Sequence, residues 1–463
     1  MFKKVMVANR GEIAIRVMRT CKRLGIPTVG IYTPSDKHCK HVSFADKSVE
    51  IHPRENLSGY LDMDAIFDVA QRMKVEAIHP GYGFLSEKEE FSQRCEEEGF
   101  VFIGPSPRAM KNLGSKLSAR AFMKKVGLPV MPGTLEPVAD EEEAKKAAAE
   151  IGYPIMLKAS GGGGGRGMRV VNSDDEMLDA FTNARNEAEK AFKNPTIYME
   201  KAFFRARHIE FQVIGDSRGN AYCLGERECS VQRRHQKIIE ETPSCAVSPE
   251  LRKEIIDLCI EAVNKAGYTS LGTFEFLMSE KGDLNFLEAN TRIQVEHPIT
   301  EAVTGLDLVE TQLDIASDKD VSASLSGVRP KGHAMEFRIN AENPFNNFLP
   351  SPGRIEKYME PTGENIRVDS AAYEGYMVPT EFDNLLGKLV IYGSSRSEVI
   401  TKARDALDRY TVSGIKTTIP YHRLVMRNDD FIAGNYNIDF VKEHSPSDLL
   451  KHTEFSMFES YTQ

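Results

Sequence analysis

Short apolar runs broken by polar turns open the chain. Residues 5–8 are apolar, Asn9-Arg10-Gly11 interrupts them, and Ile13, Ile15, Val17 and Met18 then fall at helical spacing, which predicts strand, turn and helix. Residues 26–32 read as a second buried strand, the stretch around 60–74 as a helix, and residues 76–79 and 100–104 as two further strands. Alternation of this kind over roughly the first 110 residues predicts a small doubly wound α/β domain. The turn His79-Pro80-Gly81-Tyr82-Gly83 either lines a cleft or closes a strand.

Further along, the period changes to two. Residues 155–158 and 168–171 are strand-like and flank five consecutive glycines at 161–165 followed by Arg166-Gly167. Thr273-Phe274-Glu275-Phe276-Leu277 alternates, residues 279–283 supply a turn, and Leu284-Asn285-Phe286-Leu287-Glu288-Ala289-Asn290 alternates again. This is a β-hairpin pattern that brings Glu275, Glu288 and Asn290 to one face. The alternation runs on from Thr291 to Pro298, predicting a longer strand with Arg292, Gln294 and Glu296 together.

Composition narrows the class. The chain has 463 residues, 41% hydrophobic and 27% charged, a globular balance with room for about two to four domains. Its net charge of −9 lacks the basic signature of a nucleic-acid binder. Seven cysteines without a C-x-x-C pair argue against zinc sites and a disulfide framework, and predict a reducing, cytoplasmic setting. Arg10, Glu12 and Arg16 interrupt any apolar segment after Lys3-Lys4, and no apolar run reaches about 18 residues. Neither export nor membrane insertion is expected.

The glycine run is too permissive for helix or strand. Gly162, Gly164 and Gly167 satisfy G-x-G-x-x-G only because a glycine run satisfies most glycine patterns. A Walker loop needs Gly-Lys-Ser/Thr before a helix, and neither H-R-D nor D-F-G of the kinases occurs. What remains is either a surface hairpin or a loop whose amides close over phosphates, with Lys158 adding a point charge. The carboxylate face is likewise either solvent-facing or an oxygen-ligand site for Mg²⁺ or Mn²⁺. Gln232-Arg233-Arg234-His235-Gln236-Lys237 is a solvated turn or an anion-binding wall.

Several segments resemble one family in order along the chain: Val7-Ala8-Asn9-Arg10-Gly11-Glu12-Ile13, His79-Pro80-Gly81-Tyr82-Gly83-Phe84, the glycine loop, residues 228–237 and 288–298, Gly332-His333-Ala334-Met335-Glu336-Phe337-Arg338, and Phe348-Leu349-Pro350-Ser351-Pro352-Gly353. They are similar to biotin carboxylase, the ATP-grasp component of biotin-dependent carboxylases. The resemblance implies a mixed α/β and α+β protein. Its parts would be an N-terminal α/β domain (1–114), an ATP-grasp domain (115–330, lid about 131–203), a C-terminal domain (331–446) and a tail (447–463).

The same resemblance implies roles. Lys116, Lys158, Gly164 and Gly165 would contact ATP phosphates. Glu200, Lys201 and Phe203 would lie at the adenine, with His208, Gln232 and His235 nearby. Glu275, Glu288 and Asn290 would hold Mg²⁺ or Mn²⁺. Lys237, Arg292 and the Val295 backbone would hold bicarbonate, Glu296 would be its base, and Arg338 would meet the biotin ureido oxygen. Phe203-Phe204-Arg205-Ala206-Arg207 departs from the family's usual segment at the adenine. Ala109-Met110-Lys111-Asn112 only echoes a biotin-attachment motif, so biotin is expected on a separate carrier protein. A homodimer, served by a separate carboxyltransferase subunit, is a further family expectation. A different ATP-grasp ligase that forms an acyl phosphate, and a non-catalytic ATP-binding protein, are the competing readings. The tail is either disordered or a docking segment.

Overall fold

A computed structural model describes residues 1–52, 59–161 and 167–451. Gly164, Gly165 and the tail after 451 therefore lie outside the described residues.

The N-terminal strands form a five-stranded sheet in the order Lys47–Glu50, Thr28–Tyr32, Val5–Val7, Ala77–His79, Val101–Phe102, parallel throughout. This is the doubly wound order, reversing direction beside the first strand. The central strands are buried on both faces, so they read as continuous apolar runs. The edge strand Lys47–Glu50 was invisible to pattern, since Lys-Ser-Val-Glu is half-exposed and carries one apolar side chain. The expected helix around 60–74 is Met63–Met73, with the Asp62 side chain accepting from the Ala65 amide at its N-terminus and Lys74 in left-handed backbone at its end.

The glycine run does join two antiparallel strands, Ile155–Ala159 and Met168–Val171, and Ile197–Lys201 completes their three-stranded sheet. Helices Glu141–Ile151 and Asp174–Phe192 lie against one another and against this sheet.

An eight-stranded sheet forms the middle of the protein, in the order Leu284–Asn290, Ser270–Met278, Arg207–Gly215, Ala221–Arg233, Gln236–Thr242, His333–Asn340, Leu385–Gly393, Ile366–Ser370. It runs across residue 331, because Gln236–Thr242 pairs directly with His333–Asn340. Period-two alternation gives its strands two characters. Ile209, Phe211 and Val213 join Phe274, Phe276 and Phe286 in a core closed by Ile255, Cys259 and Ala262 of helix Pro249–Ala266. Between them His208, Glu210 and Gln212 point the other way, and all three are buried.

Two expectations need correction. Residues 291–296 do not extend the hairpin: pairing ends at Thr273 opposite Asn290, and helix His297–Thr304 follows with Pro298 in its first turn. Proline's fixed φ and missing N–H suit that position. The tail also begins later than residue 447, because helix Pro446–Lys451 packs Leu449 into the C-terminal core with Tyr421 and Leu424.

Candidate active site

The charged face of the large sheet, the three-stranded sheet and residues 291–296 enclose a cavity of about 560 Å³. Lys116, Lys158, Glu200, Lys201, Phe203, His208, Gln232, His235, Lys237, Glu275, Glu288, Asn290, Arg292, Val295 and Arg338 all line it. Glu296 sits behind this wall, fully buried, and is bound to two of its members.

Lys237 is the hub. Its Nζ donates to Glu210 at 2.5 Å, Glu275 at 3.0 Å and Glu296 at 2.5 Å. The second oxygen of Glu296 accepts from Arg338 Nη2 at 2.8 Å, while Arg338 Nε donates to Glu240 at 2.5 Å. Arg227, buried completely, binds Glu210 at 2.6 Å, Gln212 at 2.7 Å and Thr300 at 2.9 Å. Burial alone would protonate Glu296, but Lys237, Arg338 and Arg227 outweigh it and hold the carboxyl well below the usual range. The reverse holds for Lys237, where burial opposes the charge and Glu210, Glu275 and Glu296 push its pKa well up. Such a network is stable only while complete, since removing one partner strands a buried charge.

Arg292 forks across the segment after the hairpin: Nε donates to Glu87 at 2.9 Å, Nη1 to Gln294 at 2.9 Å and Nη2 to Asn290 at 3.2 Å. Although residues 291–296 are not a strand, they keep Arg292 and Gln294 at one cavity wall with Glu296 just behind it. Lys388 donates to the Val295 carbonyl at 2.9 Å, fixing that turn.

The hairpin register sets Glu275 opposite Glu288, as alternation predicted. Glu275 also meets His208 at 3.1 Å and Gln294 at 3.3 Å, and Lys116 reaches Glu288 at 3.0 Å. Burial opposes the Glu275 charge, but Lys237 and His208 prevail and lower its pKa. Glu275, Glu288 and Asn290 offer an all-oxygen donor set that fits a divalent cation, and Lys237 and Lys116 are the cations beside the two carboxylates here.

On the three-stranded sheet Glu200 is completely buried, with Lys158 on one carboxylate oxygen and Arg120 at 2.5 Å on the other. Its carboxylate is thus engaged by cations although the residue lines the cavity. Lys201 Nζ donates to the Gly152 and Tyr153 carbonyls at 2.9 and 2.7 Å. Sequence reasoning passed over Glu210, Arg227, Glu240 and Arg120. Glu210 had a signal in the His208, Glu210, Gln212 alternation, whereas Arg120 lies on a helix, Lys116–Val126, with nothing local to show that its guanidinium is buried.

Three family descriptions match the chain in sequence order: biotin carboxylase, N-terminal domain, over residues 1–110, carbamoyl-phosphate synthase L chain, ATP binding domain, over 115–324, and biotin carboxylase C-terminal domain over 336–443. Biotin carboxylase of Allochromatium vinosum is 47% identical over 444 residues, covering 96% of this chain and 98% of its own. Biotin carboxylase of Haemophilus influenzae is 46% identical over 444 residues, with 96% and 99% covered. Among solved structures, the biotin carboxylase domain dimer of Hydrogenobacter thermophilus 2-oxoglutarate carboxylase, in complex with MgADP, ADP and bicarbonate, superposes with a TM-score of 0.94 at 45% identity, covering 98% of this chain and 100% of that one. The biotin carboxylase of Campylobacter jejuni gives 0.93 at 43% identity, covering 96% and 99%. With the fold, the cavity and near-full-length identity all in agreement, the chain belongs to the biotin carboxylase family.

Proposed function

We propose that this protein catalyses ATP- and bicarbonate-dependent carboxylation of biotin borne by a separate carrier protein. The observation that carries the reading is the Glu296 carboxylate, held ionised between Lys237 and Arg338 directly behind the cavity wall.

Bicarbonate is a poor nucleophile and must be placed in line with the γ-phosphate of ATP. Lys237, Arg292 and the Val295 amide hold the anion, and Glu296 takes its proton. The cations that keep Glu296 ionised also make it a weak base. An anion between Lys237 and Arg292 offsets part of that field, so the arriving substrate raises the proton affinity of its own base. Attack on the γ-phosphate gives ADP and carboxyphosphate, with Lys116 and Lys158 adding fixed positive charge at the phosphates. A divalent cation held by Glu275, Glu288 and Asn290 would supply further neutralisation of phosphate charge. Gly164 and Gly165 belong to the loop assigned to cover the phosphates, and exclusion of water protects the labile carboxyphosphate. It breaks down to CO₂ and phosphate, phosphate takes the biotin N–H proton, and Arg338 stabilises the enolate oxygen while nitrogen attacks CO₂. Glu200, Lys201, Phe203, His208, Gln232 and His235 form the nucleotide side of the same cavity.

The partners on this reading are a biotin carboxyl carrier protein and a carboxyltransferase subunit, and the assembly is a homodimer like that of the Hydrogenobacter domain. All seven cysteines are free, which supports a reducing, cytoplasmic placement. Among the described residues no helix is long and apolar enough to cross a membrane. Retention of every charged site residue weighs against a non-catalytic protein, and Arg338 beside Glu296 weighs against a ligase for another carboxylate. The purified protein is expected to cleave ATP only with bicarbonate, faster with free biotin. ATP turnover indifferent to both would overturn the assignment.

A further inference from the structure

Arg338 is aimed by a buried carboxylate, Glu240, set back from the cavity that Arg338 lines. Glu240 lies opposite Glu336 in the sheet register, which puts Arg338, two residues along, diagonally beside it on the same face. Glu240 Oε1 accepts from Arg338 Nε at 2.5 Å and Glu296 Oε2 from Nη2 at 2.8 Å. Two carboxylates from different elements thus fix the plane of the guanidinium. Nη1 has no partner among the described residues, and the side chain lines the cavity.

We propose that Glu240 is the positioning residue of the biotin half-reaction: by holding Arg338 through Nε it presents Nη1 to the ureido oxygen. Without it, Arg338 would pivot on Glu296 alone and close on its second oxygen. That would remove the enolate's donor and over-clamp the base together. This inference rests on the assignment of Arg338 to biotin given above.

The electrical surroundings fit such a role. Glu240 is fully buried and faces Lys237 on its own strand, Glu336 and Arg338 on the next, Glu296 from the turn before helix His297–Thr304, and Cys229 from strand Ala221–Arg233, with Lys388 behind Glu336. Burial first and Glu296 second raise its pKa to about 7, against Arg338 and Lys237. Both Glu336 oxygens lack partners among the described residues, and burial pushes that carboxyl well up too, so burial opposes ionisation at both members of the Glu240–Glu336 pair.

The test compares Glu240→Ala with Glu240→Gln in the full-length protein, measuring biotin-dependent turnover and bicarbonate-dependent ATP cleavage without biotin. Removing a supporting partner of a site residue typically costs about 10–100-fold. Glu240→Ala is expected to lower kcat/KM for biotin in that range, about tenfold more than it lowers biotin-independent ATP cleavage. Glu240→Gln, which keeps an oxygen for Nε–H, is expected to recover most of the loss. Losses of equal size in both assays, or no loss in either variant, would overturn the proposal. Wild-type protein that does not respond to biotin would instead overturn the functional assignment, whatever residue 240 does.

Discussion

The parallel sheet at the N-terminus and the antiparallel sheet at the centre use burial in opposite ways. In the first, Val5, Met6, Val7, Val29, Ile31, Ala77 and Ile78 are all buried and apolar, because helices cover both faces. Its part in the site comes from the segment after Ala77–His79, where Tyr82 and Gly83 line the cavity and Glu87 accepts from Arg292. In the second, the same depth is given on one face to phenylalanines and on the other to Glu210, Arg227, Lys237, Glu240, Glu275 and Arg338, all buried or nearly so. Buried charge is tolerable there only because each ion meets an opposite one. A reactive site is thus built on the face of a sheet that fold stability does not need to be apolar.

Altering the two faces of the central sheet separately puts this contrast under the most strain. Glu296→Gln on the charged side is expected to cut bicarbonate-dependent ATP cleavage on the order of 10²–10⁴-fold, the range for a positioned acid–base group. Near-normal turnover would remove Glu296 from the mechanism. Phe276→Ala on the other side deletes a fully buried ring that meets Phe211 at 5.5 Å and Phe286 at 5.8 Å. It is expected to cost about 3–5 kcal/mol in denaturant unfolding while ATP cleavage at low temperature persists. If activity fell with Glu296-like severity while stability held, the two faces would not be separable.

Legibility followed the same division. Apolar alternation located both hairpins because period two is unambiguous when one face is greasy and a turn lies between, as at residues 270–290. Lys47–Glu50 was missed because an edge strand has no second apolar face to signal. Thr291 to Glu296 was misread because alternation continues through an irregular segment that tertiary contacts, the Arg292 fork and the Lys388 bond to Val295, hold in place. Most of the cavity lining was named from family motifs, whereas Glu210, Arg227 and Glu240 escaped because isolated charges in a sequence read as solvent-facing. Only the closed sheet turns them inward.

The finest cut falls between two adjacent residues. Glu240 and Glu241 share a strand, but alternation sends Glu240 to Arg338 and Glu241 to His333 at 2.6 Å, Arg396 at 2.8 Å and the Tyr436 hydroxyl. Burial disfavours ionisation of both. At Glu241 the His333 and Arg396 partners prevail, and its pKa drops from 4.5 to about 2. Glu241 therefore contributes stability that is present above the unfolded value of 4.5 and lost as pH falls toward 2, amounting to about 3 kcal/mol. At Glu240, raised to about 7, the sign reverses: the neutral form's contribution is complete below 4.5 and fades as pH rises through 7. Unfolding free energy measured against pH should then lose its acid slope between 4.5 and 2 in Glu241→Gln, and its decline between 4.5 and 7 in Glu240→Gln. Two variants with superimposable pH profiles would mean that the faces of this strand do not differ electrostatically, and the contrast between chemical and structural burial would fail at its closest point.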